Sequence, residues 1–376
     1  FNPADWTAFR STFGLSRFGG QLVTVNPPSS GQNNCADPGA NFDDIEAAID
    51  AEYAGATAPS ATIEVAACAG SPTTFGGLIA LENLLNSTPP SIISMSYGQC
   101  EAFNGAAANA TFNAAFQQGV AEGVSIFVSS GDAGAAGCDR NSQFDFHGIG
   151  ITGWGETPYN VSVGGTDFED SYLNANTTYW NSQNTPFYES ALSYIPEIPW
   201  NDTCASTLLA NYYGYQQTYG NGGFCNSPNG SLFAGTAGGS GGPSGCATGS
   251  PGVNGVVSGS CRGYPKPSWQ IGFPGVPRDG VRDIPDVSLF ASNGFWGHYY
   301  LFCSSDFGPC TAPPSNWPGA GGTSFSSLIK AGIQALVNQV HGVQGNPNYA
   351  YYKLAALEYA TGGLTNCNSS LGNGVA

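Results

Sequence analysis

Four side chains in this sequence have the types and spacing for nucleophilic and acid–base chemistry. Ser324 follows Gly319-Ala320-Gly321-Gly322-Thr323 and opens an apolar stretch that runs through Ala331-Gly332. A serine at a helix N-terminus behind a glycine-rich turn is exposed, and the N–H groups there point toward a developing anion. The same serine would also make an ordinary N-cap, the commonest role of Ser before a helix. Glu46 and Asp50 are four residues apart, so they stand one turn above each other on one helical face. Two neighbouring carboxyls repel and tend to hold one proton between them in acid. Such a pair can act as a general base at a pH where imidazole is fully protonated. Asp43, Asp44 and Glu52 lie nearby, so a solvated acidic face explains the pair equally well. Asp132 ends Ser129-Ser130-Gly131-Asp132 at a strand terminus, where open α/β sheets place their sites. An Asp there can be a turn residue. Buried and protonated, it can instead donate a hydrogen bond to an oxyanion.

The elements that must position these groups alternate. Strands are predicted at 20–26, 61–67, 91–98, 124–132 and 159–165, with helices at 42–55, 75–86 and 105–122 between them. Asn41 or Asp43 lies near the N-cap of the first of these helices and Gly55 after its end. This alternation predicts an α/β fold, a mostly parallel central sheet with helices on both faces. Residues 168–235 are rich in Asn, Thr, Tyr and Trp with little periodicity, and 234–261 are nearly all Gly, Ser, Ala, Pro and Val. We read 168–261 as a loop-rich excursion from one domain spanning 1–376. Order resumes at 264–270 and 283–288, and an apolar helix is predicted over 324–340.

Composition narrows the function. The 376 residues carry a net charge of −17 and only 9% are charged. Nucleic acids and anionic membranes need a positive surface, so both are excluded as partners. Hydrophobic residues make up 41% and aromatics 12%, enough for a sizeable core, and no apolar run approaches a membrane span. Few cations and many carboxylates that neutralise in acid suit an acidic medium. Eleven Cys point to disulfides and an oxidising compartment. No C-x-x-C pair occurs and there are three His, which argues against zinc. One pairing joins Cys35 to Cys68, Cys100 to Cys138, Cys204 to Cys225, Cys246 to Cys261 and Cys303 to Cys310, although spacing alone does not establish connectivity. It leaves Cys367, whose partner we expect in a cleaved C-terminal fragment or another chain. Sequons stand at Asn86, Asn109, Asn160, Asn176, Asn201, Asn229 and Asn368 as candidate glycan sites. Phe1 reads as the start of a processed, secreted chain.

The ordered set Glu46-x-x-x-Asp50, Ser94-Met95-Ser96-Tyr97-Gly98, Ser130-Gly131-Asp132 and Gly322-Thr323-Ser324 resembles the sedolisin family of serine-carboxyl peptidases, fold relatives of subtilisin. Gly55-Ala56-Thr57-Ala58-Pro59-Ser60-Ala61, Pro158-Tyr159 to Val163-Gly164-Gly165-Thr166, Pro267-Ser268-Trp269-Gln270 and Pro285-Asp286-Val287-Ser288 are similar to further family blocks, so the likeness covers nearly the whole chain. The resemblance implies a subtilisin-like fold and four catalytic roles. Ser324 would be the nucleophile and Glu46 its proton acceptor. Asp50 would orient Glu46, and Asp132 would be the oxyanion donor, helped by the Ser324 N–H. Ser96, Tyr97 and Gly98 would bind an extended protein or peptide substrate as an added strand. His147, His298 and His341 do not stand where a subtilisin-like enzyme needs its His, and His147 reads as structural.

The resemblance also implies a removed pro-segment and a calcium site built from Asp carboxylates and backbone carbonyls. No acidic segment for calcium follows Cys367, so its ligands are expected outside this chain. Two further departures are Leu328, where subtilases usually have Pro, and Lys330, a cation in an apolar helix. The leading expectation is a secreted, monomeric, acid-acting endopeptidase. A tripeptidyl-peptidase on the same scaffold and a non-catalytic secreted binding protein are the alternatives.

Overall fold

The computed structural model describes residues 1–25 and 34–360. In chain order the elements are α1 (Pro3–Thr12), β1 (Gln21–Val25), α2 (Asp44–Thr57), β2 (Thr62–Ala66), α3 (Gly76–Leu85), β3 (Ile92–Met95), α4 (Glu101–Ala121), β4 (Ser125–Ser129) and β5 (Val161–Phe168). The loop-rich middle holds α5 (Asn176–Tyr179), β6 (Glu197–Pro199), α6 (Thr207–Tyr212) and β7 (Gly242–Pro243). The chain then forms β8 (Asp283–Ile284), β9 (Val287–Phe290), β10 (Tyr300–Leu301), β11 (Gly319–Ala320), α7 (Thr323–His341) and α8 (Asn348–Ala360).

The central sheet is parallel across β3, β4, β5 and β9, with β6 added antiparallel to β5. Ile92 is opposite Ser125, Phe127 opposite Val161 and Val163 opposite Val287. Every residue of β4 is buried, as a strand covered on both faces by helices must be. Because the four strands run the same way, the segments 96–98, 130–132, 169–170 and 291–293 leave the sheet at one end. β1 and β2 pair with each other in parallel and do not join β3. A cavity of about 1070 Å³ lies between the two sheets, lined by Ile63 and Val65 of β2 and Ile92 and Met95 of β3, and it reaches Asp50 and Ser96.

Helices α2 and α7 pack against each other through Ile49, Phe325 and Leu328, joined by Phe302. Leu328 is thus a core residue, and its place near the helix start does not call for Pro. At Gly332 the helices touch so closely that a Cβ would come within 2.6 Å of Thr57 Cβ. Gly332→Ala should therefore cost about 1–3 kcal/mol by overpacking, read as a lower urea midpoint. An unchanged midpoint would show that the contact yields freely. Helix α1 braces α2 from the other side. Trp6 Nε1 donates to Ala51 O at 3.1 Å, and Arg10 donates to Gly55 O at 3.1 Å and Pro59 O at 2.8 Å. Lys330 places its ammonium 4.2 Å from the Tyr351 ring of α8, a cation–π contact that accounts for a cation in this helix.

The disulfides are Cys35–Cys68, Cys100–Cys138, Cys204–Cys225, Cys246–Cys261 and Cys303–Cys310. The expectations for Cys367 and for calcium ligands after it, and the sequon at Asn368, lie outside the described residues. Asn109 and Asn160 are fully buried and donate to main-chain carbonyls, so two of the seven sequons cannot accept a glycan in the folded protein. No helix among the described residues is long and apolar enough to cross a membrane.

Candidate active site

Ser324 stands in the first turn of α7, whose leading N–H groups have no intrahelical acceptors. The turn before it depends on Gly322, at φ 140° and ψ 153°, a conformation closed to residues with a side chain. Thr323 fastens this turn to the end of β4. Its N–H donates to Asp132 Oδ1 at 2.7 Å and its hydroxyl to the same oxygen at 2.9 Å. That hydroxyl also accepts the Gly131 N–H at 3.0 Å. Both bonds fall on Oδ1, which leaves Asp132 Oδ2 beside Gly322, 3.2 Å from where a Cβ would stand.

Glu46 and Asp50 project from one face of α2. Burial pushes both carboxyls up from their ordinary range, and for Asp50 the neighbouring Glu46 charge adds to the effect. Glu46 faces the hydroxyls of Ser324 and Ser96, which favour its ionised form, while the Asp132 charge opposes it. The Ser96 hydroxyl donates to Asp50 Oδ1 at 2.8 Å. The Ser324 hydroxyl also lies 3.4 Å from Ser96 O. Ser324, Glu46, Asp50 and Asp132 therefore converge from two helices and one strand end. Of the segment expected to line the substrate, Ser96 has its side chain within this cluster. The Tyr97 hydroxyl lies beside Asp43, and Gly98 abuts Thr152, whose hydroxyl would lie 2.5 Å from a Cβ there.

Two neighbours of this cluster were not singled out from sequence. Thr323 was visible in the Gly-Thr-Ser motif, but its bond to Asp132 joins residues 191 apart. The positive charge of Arg140 is felt at Glu46, and no local pattern announces it. His147 lies 2.7 Å from Asp139 Oδ1 and packs edge-on against Phe103, in keeping with a structural reading.

Asp5, Cys303 and Cys310 form a group close enough to hold a metal ion, but the two sulfurs are joined in a disulfide. This set does not suit calcium, which takes oxygen ligands.

No family model matches the chain. Kumamolisin from Bacillus sp. (strain MN-32) is 30% identical over 148 residues, covering 39% of this chain and 25% of kumamolisin. The chain thus aligns with about a quarter of the length of this curated relative. Among solved structures it is similar to Pseudomonas sedolisin, a serine-carboxyl proteinase complexed with two molecules of pseudo-iodotyrostatin. The TM-score is 0.61 at 20% identity, over 95% of this chain and 77% of that one. The α/β architecture is accordingly subtilisin-like. The chain is thus similar to kumamolisin over part of its sequence and to Pseudomonas sedolisin in its fold.

Proposed function

We propose that the chain is the catalytic domain of a secreted, acid-acting serine-carboxyl endopeptidase that cleaves protein or peptide substrates through an acyl-enzyme. The observation that carries this reading is the Ser324 hydroxyl facing a buried Glu46 that shares its surroundings with Asp50. In the proposed cycle Ser324 Oγ attacks the scissile carbonyl and its proton passes to Glu46. Asp50, held by Ser96, orients Glu46 and takes part of its charge. The oxyanion is met by a proton on Asp132 and by the Ser324 N–H. Glu46 then gives its proton to the leaving amine, and water releases the acyl group by the reverse sequence. Ser96, Tyr97 and Gly98 bind the substrate backbone. The five disulfides support an oxidising, extracellular setting.

The pH dependence follows from the raised carboxyls. Glu46 must be ionised to accept a proton while Asp50 keeps one, so activity tracks the one-proton form of the pair. Below the first titration Glu46 is neutral and inert, and above the second the two charges repel. Hydrolysis of a denatured protein from pH 2 to 8 should give a bell whose acid limb lies above the ordinary carboxylate range, because burial pushes Glu46 up to about 7. A rate that stays level across this range would remove the carboxylate base. Sizing the products by mass separates internal cleavage from the release of tripeptides, and tripeptides alone would return the exopeptidase reading.

A further inference from the structure

A second carboxyl pair is buried behind the segment that follows Gly98. Glu156 is fully buried and neither of its carboxyl oxygens accepts a hydrogen bond. It faces Glu101, the first residue of α4, which is also buried. Glu101 has the partners of an ionised carboxylate. Its Oε1 accepts the Ser244 hydroxyl at 2.7 Å, and its Oε2 accepts the Gly245 and Cys246 N–H groups at 2.7 and 2.6 Å. The nearby cation, Arg282, forks onto Asp286 and gives no hydrogen bond to Glu156. The other groups around the pair are the hydroxyls of Ser244 and Tyr264, with Tyr352 behind Arg282. Arg282 is committed to Asp286, so a charge at Glu156 would have no hydrogen-bonded counterion. Burial and the Glu101 charge hold Glu156 well above the ordinary carboxylate range.

The pair sits where the segments 96–101 and 150–156 are hydrogen-bonded to each other. Glu101 continues the segment of Ser96, Tyr97 and Gly98, and its N–H donates to Ile151 O at 2.9 Å. Gly153 N–H returns to Gln99 O at 2.8 Å. We propose that Glu156 is a positioning residue whose protonated carboxyl, donating to Glu101, locks segment 96–101 to segment 150–156 and sets the upper pH limit of the cleft. The role in cleavage rests on the peptidase reading; the lock itself does not.

The sign of the effect is fixed. In the unfolded chain Glu156 ionises near pH ~4.3. The lock is complete below that pH, and each unit above it raises the unfolding constant about tenfold until the folded carboxyl ionises. Glu52, pushed up to about 9, and Asp167, pushed up to about 7, add similar slopes, so only a difference between variants isolates Glu156.

Urea unfolding of wild type and Glu156→Gln at pH 5, 6 and 7 provides that difference, because Gln keeps a donor toward Glu101 and cannot ionise. The ratio of the two unfolding constants should grow by up to about 100-fold between pH 5 and 7, stopping where the folded carboxyl ionises, and the variant's cleavage should persist to higher pH. Parallel stability curves would overturn the proposal. Hydrogen exchange in wild type alone gives a second test that survives if the variant does not fold. Protection at the Gly245 and Cys246 amides should fall from pH 5 to 7 relative to β4, and flat protection there would overturn the lock. Absence of cleavage in both proteins would sink the peptidase reading, while the stability and exchange data would still judge the pair.

Discussion

Ser324→Ala should lower kcat for peptide hydrolysis by about 10⁴–10⁶-fold in acid without unfolding the protein. The size follows from the role: without Oγ there is no acyl-enzyme, and only substrate binding and oxyanion stabilisation remain. The fold should hold because the links between α7 and β4 run through Thr323, and α7 packs through Phe325 and Leu328. Glu46→Gln should cost nearly as much, and the double variant little more than either single one, since nucleophile and base act as one unit. The measurement is kcat at the pH optimum for the three variants, with near-ultraviolet circular dichroism as the check on folding. A folded Ser324→Ala protein that kept a tenth of the activity would remove the nucleophile role. Fully additive losses would separate Glu46 from Ser324.

Asp132→Ala should lower kcat by about 10²–10³-fold, the usual cost of one oxyanion donor, and Asp132→Asn should lose clearly less. Asn keeps an oxygen for the Thr323 N–H and brings an amide N–H where the Asp proton would be. Ala loses both the anchor and the donor. Thr323→Val separates these two effects, because it deletes the hydroxyl bonds to Asp132 and Gly131 while keeping the backbone N–H bond to Asp132. If anchoring were the whole role of Asp132, the Val variant would approach the Ala variant in kcat. Equal losses for Asn and Ala in folded proteins would remove the oxyanion role.

The two carboxyl pairs make distinct contributions to pH dependence. In the proposed cycle Glu46 and Asp50 govern proton transfer, so their titration would be read in kcat. The proposed lock at Glu156 carries no chemistry of its own, and its titration would be read in stability and amide exchange. A chain with few cations suits both, because burying carboxyls without counterions leaves neutralisation by protons as the way to relieve the charge.

Much of the frame was legible because it depends on local pattern. The strand runs at 124–132 and 91–98 and the helix over 324–340 gave β4, β3 and α7 within a few residues. Helices α1 and α8 were missed, and both owe their places to packing against distant segments. Trp6 and Arg10 bind the end of α2, and Tyr351 lies against Lys330. The split between β2 and β3 was also invisible, because strand pairing across an intervening helix leaves no local mark.

The sequence by itself determined the chemistry on offer: a Ser behind a glycine turn, two carboxyls one helical turn apart, and an Asp at a strand end. It did so because residue type and short-range spacing are written directly in the chain. Only the tertiary structure decided that these groups meet. The packing of α2 on α7 at Gly332 brings Glu46 to Ser324, and Thr323 ties α7 to Asp132 across 191 residues. Tertiary burial also singled out Glu156, which the sequence shows as one of 26 acidic residues and the fold leaves without a counterion. The ionisation of a carboxyl depends on what surrounds it, and those surroundings are assembled from segments far apart in the chain.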